Sequence, residues 1–386
     1  MTDLRSLDLD VVMARAAAAL SRARGRAIKF EDPQPLSKQE RRNLIVRAAA
    51  RDDNGDVTPV IVKATRSATY DPAAEDALQT SGLVREWVAT VYIGDALLAG
   101  DAEAGILVLK DFGRDLRSLD HVLLRGTARE AEEALTSYAT ALAGLHGKTR
   151  NCLAPYRATF DAVFGARPHR PIGRRVEAEA VVNALGHAPP ADELTLLTSR
   201  LRDPGPWQSL VHGDACPDNA LIVDGAVRLI DYEWAHPSHA LLDGIYWRIG
   251  FPTCWCAGRT PDAVAARIDA TYRRALGRVI PLALETAFEA ELAYIAAVWL
   301  LDCLSWRLGA ALERDDRWGI WSIRGRLLWY LEYVIATTAA AGVLPGLNQS
   351  AEAWLSTLRS RWPDTVPLGY FPAFAAEAAP VTATRP

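Results

Sequence analysis

Two alternating stretches stand out early in the chain. Residues 42–50 (RNLIVRAAA) and 57–65 (VTPVIVKAT) carry β-branched and small apolar residues in the pattern of half-buried strands. Between them lies RDDNGD, where Asn54-Gly55 offers the positive φ angles of a tight turn, so a β-hairpin is predicted. Residues 1–27 are rich in Ala and Arg and predict a helix. Residues 71–92 predict helix again, with Asp71 as cap, Pro72 at the first helical position and Gly82 dividing the stretch in two. GILVL at 105–109 predicts a short buried strand. Beyond Asp111 the period changes. Apolar residues recur every three or four positions over 117–147 and 175–201, predicting helices separated by a loop at 165–174. Short strands follow at 209–212, 219–223 and 227–231, with Asp224-Gly225 as a second turn. After residue 240 the pattern is helical, and the last dozen residues read as a loose tail. No internal repeat is visible. The expected fold class is α+β: a small β-rich lobe over 1–110 with an N-terminal helix, then a large helical lobe over 111–386 with an embedded β-hairpin.

Composition narrows the partners. With 386 residues, half of them hydrophobic and 23% charged, the chain is long enough for two domains or one large two-lobed one. The net charge of −4 and the absence of a basic stripe argue against nucleic acid and anionic membrane as partners. The longest apolar run, 292–301, ends at Asp302 and is half a membrane span, so it predicts a buried helix. The start, MTDLRSLDLDVVMARAAAAL, lacks the features of a secretory signal, and a cytoplasmic location is expected. The five cysteines are odd in number and scattered, which argues against a disulfide framework. Cys254 and Cys256 read as reduced thiols in a packed segment, although nearby His236 and His239 keep a metal site open.

The candidate chemistry lies in VHGDACPDNALIVDGAVRLID at 211–231. Asp214 and Asn219 stand five apart on a loop entering a strand, and one hairpin later an apolar strand ends in Ile230-Asp231. Phosphoryl transfer needs a carboxylate to position the acceptor hydroxyl and hard oxygen ligands for a divalent metal on the triphosphate. Asp214 can supply the first, and Asn219 with Asp231 the second. Oxygen donors without a well-placed His/Cys set point to Mg²⁺ rather than zinc.

This segment resembles the catalytic loop of the aminoglycoside phosphotransferase / choline kinase-like superfamily, whose members share the two-lobed protein kinase-like fold. The resemblance covers roughly residues 36–245. It implies that Asp214 is the catalytic base, that Asn219 and Asp231 hold Mg²⁺, and that His212 fixes the loop. Glu233 and Asp243 match acidic positions common in such proteins, Asp243 as a brace for the loop. It further implies a small-lobe lysine, matched by Lys63 in Val60-Ile61-Val62-Lys63, and a helical glutamate to pair with it, matched by Glu86 with Glu75 as the alternative. Residues 106–111 resemble the inter-lobe hinge, with Leu109 against the adenine. The loop over the phosphates falls at 36–43 (LSKQERRN); it contains no glycine, and Ser37 is its candidate. Leu142–His146 resembles the end of the helix leading into the larger lobe, with His146 a packed structural residue. Two departures bar assignment to one subfamily: His236-Pro237 stands where G-D-P is frequent, and Cys216 where His is frequent.

The implied activity is phosphoryl transfer from ATP, or GTP, to a hydroxyl of a small molecule, by a monomer or homodimer. The acceptor region, 240–372, is less legible. Trp299, Trp306, Trp318, Trp321 and Trp329 could cage a quaternary ammonium or simply pack helices. Residues 251–386 hold 13 acids and 13 Lys/Arg, so the acidic groove that an aminoglycoside would favour is not evident. An antibiotic, amino alcohol, sugar or nucleoside all fit. Two other readings stand beside the kinase: a non-catalytic nucleotide-binding pseudokinase, and a metal-dependent hydrolase on His212 and Asp214.

Overall fold

Alternation along the strands explains the first layer of the structure. A computed structural model describes residues 6–37, 43–66, 82–93, 96–164 and 176–375. Five strands form one antiparallel sheet: β1 (Ile28–Pro35), β2 (Asn43–Asp52), β3 (Val57–Thr65), β4 (Leu97–Asp101) and β5 (Ile106–Lys110), in the order β1-β2-β3-β5-β4. Leu44, Val46, Ala48 and Ala50 of β2, and Val60, Val62 and Ala64 of β3, are buried in one cluster with Val12, Met13, Ala16, Ala19 and Leu20 of helix Leu9–Arg24. Successive strand residues face opposite sides, so Lys63 points away from that helix. Its neighbours across the sheet are Ile45 and Leu107.

The first hairpin differs in its turn. Residues 52–56 make a wider loop, in which the Asp52 carboxylate accepts from the backbone N–H groups of Asn54 and Asp56. Gly55 alone of the Asn-Gly pair takes a positive φ, of 85°. Strands β1 and β4 were not expected. β1 carries Pro33 and Pro35, tolerable because it lies at the sheet edge, where a missing N–H breaks no inner ladder. Helix Gly82–Ile93 begins at the glycine expected to divide two helices; residues 67–81, with Glu75, lie outside the described residues.

The chain forms two compact units: Met1–Leu116 with Asn151–Ile172 and Asp231–Pro237, and Arg117–Arg150 with Gly173–Ile230 and Ser238–Pro386. The division is therefore less simple than a single boundary after residue 110. The second unit is mainly helical. Helix Ala128–Lys148 starts with a capping box, Thr127 and Glu130 each accepting from the other's backbone N–H. It packs against helix Asp262–Leu276 and carries the embedded hairpin. That hairpin pairs β7 (Ala220–Val223) with β8 (Ala226–Leu229) after the short strand β6 (Gln208–Val211). Asp224 and Gly225, with φ of 50° and 77°, make the expected two-residue turn. Helix Ala287–Glu313 spans 27 residues and extends well beyond the apolar run 292–301. By length and composition it could cross a membrane, but most of its apolar stretch is buried within the unit. Helices Ile323–Ala341 and Pro345–Arg361 pack in succession beside it. The α+β architecture is as expected, a β-rich region and a helical region with the embedded hairpin; a second, shorter hairpin pairs Arg317–Trp318 with Trp321–Ser322.

Candidate active site

In the first unit, Lys63 is the centre of a buried ionic cluster. Its Nζ lies 2.6 Å from Glu86 Oε2, 2.6 Å from Asp231 Oδ1 and 2.9 Å from Glu233 Oε1. Helix Gly82–Ile93 supplies Glu86, and the segment after Ile230 supplies Asp231 and Glu233. Gly82 makes this approach possible: a Cβ there would stand 2.6 Å from Glu233 Cβ. Asn43 Nδ2 donates to Glu233 Oε1. Burial alone would depress the Lys63 ammonium, but the Glu86 and Asp231 carboxylates overcome it and hold its pKa above the usual lysine value. The cluster is closed except at one point: the Asp231 side chain is 43% exposed, those of Glu86 and Glu233 only 3% and 4%. Asp231 also adopts φ 65°, a left-handed conformation uncommon for a non-glycine residue and frequent at functional positions.

Two other expected residues lie in the same unit. Ser37 Oγ accepts from the Ile45 N–H at 3.0 Å, and residues 38–42 of the expected phosphate loop lie outside the described residues. Leu109 is half-buried within β5, opposite Ile61 on one side and Leu97 on the other. Just beyond, Asp111 receives both Nε and Nη2 of Arg47, at 2.7 and 3.1 Å.

In the second unit, β6 runs into the loop that carries Asp214. Gly213 takes φ 78°, which favours glycine there. Asp243 braces the turn: its Oδ2 accepts from His212 N–H at 2.6 Å and its Oδ1 from Gly213 N–H at 3.1 Å. His146 Nε2 lies 3.2 Å from the same carboxylate, and His146 Nδ1 lies 2.9 Å from the Tyr272 hydroxyl. Burial raises the Asp243 pKa, but His146 and the His212 N–H outweigh it and leave the carboxyl below its usual range. His212 Nε2 lies 2.9 Å from Ile230 O; a carbonyl only accepts, so Nε2 carries the proton. Asn219 Nδ2 donates to Asp214 O at 3.0 Å, and Ile230 N–H donates to Asn219 O at 2.9 Å. The loop and the end of the hairpin are thereby tied together.

The Asp214 carboxylate has partners that the sequence did not announce. Thr253 Oγ1 donates to Oδ1 at 2.8 Å. Cys216 and Cys254 form a disulfide with Cα atoms 5.5 Å apart, and Cys216 Sγ lies 3.1 Å from Asp214 Oδ1. The expectation of reduced thiols is corrected at this pair: Cys254 faces Cys216, 38 residues away, rather than Cys256. Cys152, Cys256 and Cys303 are buried and outside any disulfide. Burial pushes the Cys152 thiol up to about 12 and raises the Cys256 thiol likewise. Among the described residues, the acid, His and Cys groups close enough to share an ion are Asp214/Cys216/Cys254 and Glu86/Asp231/Glu233; neither includes His236 or His239.

The tryptophans of 299–329 are largely committed to packing. Trp299 is buried and donates to Leu242 O, and Trp329 donates to Ile249 O. The Arg259 guanidinium lies over Trp329, and those of Arg307 and Arg326 over Trp318. An arginine thus already occupies the place at Trp318 and Trp329 that a quaternary ammonium would take.

No family model and no curated protein matches the chain. Solved structures that resemble it include a choline/ethanolamine kinase family protein from Mesorhizobium loti, 16% identical, with 90% of this chain and 99% of that one covered and a TM-score of 0.41. The amicoumacin kinase hAmiN, solved with AMP-PNP, Ca²⁺ and Ami, is 16% identical over 95% of this chain and 96% of that one, with a TM-score of 0.43. A thermostable mutant of the aminoglycoside phosphotransferase APH(4)-Ia, solved with ADP and hygromycin B, is 13% identical over 84% and 97%, with a TM-score of 0.41. Identities and TM-scores of this size carry no inference about what this chain does; its own residues have to carry it.

Proposed function

We propose that the chain transfers the γ-phosphoryl group of ATP, or GTP, to a hydroxyl of a small molecule. The observation that carries the reading is the Lys63 cluster, which gathers residues 23 and 168 positions away along the chain onto one buried ammonium. Lys63, held by Glu86, binds the phosphates as a fixed cation. Asp214 orients the acceptor hydroxyl and takes its proton as the new P–O bond forms. Thr253 on Oδ1 fixes the orientation of that carboxylate.

The donor set fits Mg²⁺. Asp231 is the half-exposed carboxylate of a cluster that is otherwise buried. Asn219 spends its amide nitrogen on Asp214 O, which leaves its amide oxygen as the atom for a cation. Both are hard oxygen donors, and Mg²⁺ retains water for its remaining positions. Bound there, the ion would neutralise charge on the phosphates.

The acceptor is a hydroxylated small molecule of the antibiotic, amino alcohol, sugar or nucleoside type. The test is ADP release from Mg·ATP across a panel of these compounds, with Asp214→Asn in parallel. An acceptor that raises ADP release in the wild type and not in D214N supports the reading. Equal release from both proteins with every acceptor would leave a nucleotide-binding protein without catalysis.

A further inference from the structure

The segment at 250–256 is held with unusual firmness. It opens with Gly250 at φ 89° and Phe251 at φ 58°; the latter is a fully buried aromatic residue in a conformation rare for its type. Two buried arginines then clamp its backbone. Arg307 Nη2 donates to Pro252 O at 2.9 Å. Arg326 Nη1 donates to Cys254 O at 2.6 Å, and its Nη2 to Trp255 O at 2.9 Å. Both arginines come from long core helices, Ala287–Glu313 and Ile323–Ala341, so the segment is part of the rigid helical body.

Toward the catalytic loop this segment makes three ties, at Asp214, Cys216 and Asp218. Thr253 donates to Asp214 Oδ1, and Trp255 Nε1 donates to Asp218 Oδ2 at 2.9 Å. The third tie is covalent, Cys216 to Cys254. The cysteine that bonds lies two residues from the proposed base, and its partner lies beside the threonine that orients that base. Reduction would remove the covalent tie. It would also create an S–H at Cys216, 3.1 Å from Asp214 Oδ1, where it competes with Thr253 for the same oxygen.

We infer that Cys216 and Cys254 are a thiol–disulfide modification site that sets the placement of Asp214, the disulfide form being the more active. The inference rests on the phosphotransfer reading for its effect on rate, though not for the chemistry of the pair. The oxidant is a low-molecular-weight disulfide such as oxidised glutathione. One protein thiolate attacks it and releases one thiolate leaving group, giving a mixed disulfide; the second protein thiolate displaces the other. One S–S bond is consumed and one formed, two electrons pass from the protein to the reagent, and two small thiols leave with the two cysteine protons. Both sulfurs are buried, which favours a small reagent and slow exchange. In a reducing compartment the pair rests as two thiols, and oxidation marks a change of state.

The test equilibrates the full-length protein in reduced and oxidised glutathione buffers and counts free thiols by mass spectrometry after alkylation. Two readouts follow. One is backbone hydrogen exchange over 214–219. The other is the slow hydrolysis of Mg·ATP with water as acceptor. Oxidation should form one Cys216–Cys254 bond, slow exchange in the loop and raise hydrolysis about tenfold, the size of effect expected when a reacting group is held more firmly. Cys254→Ser should stay at the reduced level in both buffers, whereas Cys256→Ser should keep the response. Equal exchange and equal turnover in the two states, or a response that survives C254S, would overturn the inference. If ATP is hydrolysed in neither buffer, the phosphotransfer reading fails, and hydrogen exchange still decides whether the bond orders the loop.

Discussion

The two candidate constellations handle charge in opposite ways. Around Lys63 one ammonium faces three carboxylates in a largely buried site. The half-exposed Asp231 is where the proposed divalent cation would bind. At Asp214 Oδ1 stand a threonine hydroxyl and a disulfide sulfur, both neutral. Its bracing charge, Asp243, is spent on backbone N–H groups and His146. The first arrangement suits the holding of metal and phosphate. The second orients a carboxylate through a hydroxyl donor, which suits a base.

The sharpest way to break this contrast is to remove the two acids separately. Asp214→Asn should lower acceptor phosphorylation about a thousandfold, within the range of a general base, and leave the Kd for Mg·ATP unchanged by calorimetry. Asp231→Asn should do the reverse. The difference in ATP affinity with and without Mg²⁺ should shrink by roughly 10–100-fold, the range typical of lesions at a metal site. If D214N weakened Mg·ATP as much as D231N does, binding and base functions would not be separable, and the contrast would be lost.

A milder pair of substitutions refines it. Thr253→Val removes one hydrogen bond to Asp214 Oδ1 and should reduce kcat about five- to tenfold with ATP affinity intact. Glu233→Gln removes one of the three carboxylates at Lys63 and weakens its link to Asn43. It should weaken ATP binding by a similar factor, with kcat at saturation little altered. Steady-state kinetics at varied ATP would separate the two outcomes. A kcat effect from E233Q larger than that from T253V would reverse the assigned roles.

What was legible in the sequence follows the range of each interaction. Asp214, Asn219 and Asp231 stand out because turn residues and fixed spacing are local signals, whereas Lys63 is singled out by the family resemblance, on a strand that alternation predicts. The register that turns Lys63 away from the Leu9–Arg24 helix follows from alternation alone. Strand β1 was hidden because its prolines and charges contradict strand propensity, and its edge position tolerates them. The Cys216–Cys254 pair was hidden for a different reason. Cys256, two residues from Cys254, is the nearer partner in sequence, and only the turn at 250–251 brings Cys254 to the loop. Thr253 had no signature at all, since a lone threonine after a proline acquires meaning from the carboxylate beside it. Asn43 became relevant only once Glu233 was seen to need a donor.

The smallest expected effect is one of pH, and it distinguishes the regions by sign. Asp243 has a folded pKa held below the unfolded value of about 3.9. The stability it contributes is therefore present above that pH and lost as pH falls through the lower, folded value. Lys63 has a folded pKa above the unfolded value of about 10.4. Its contribution is present below that pH and lost as pH rises through the folded value. Between pH 5 and 9 neither group titrates, and hydrogen exchange at both sites should be nearly flat. Acid should loosen the 212–219 loop as Asp243 protonates, and alkali should loosen the sheet around Lys63 before that loop. Asp243→Asn should lower the stability of the loop at neutral pH and flatten its acid limb, with the alkaline limb at Lys63 unchanged. Simultaneous loss of protection at both sites on each limb would mean that the two regions share one unfolding equilibrium, and that their opposed charge designs act on a single cooperative body.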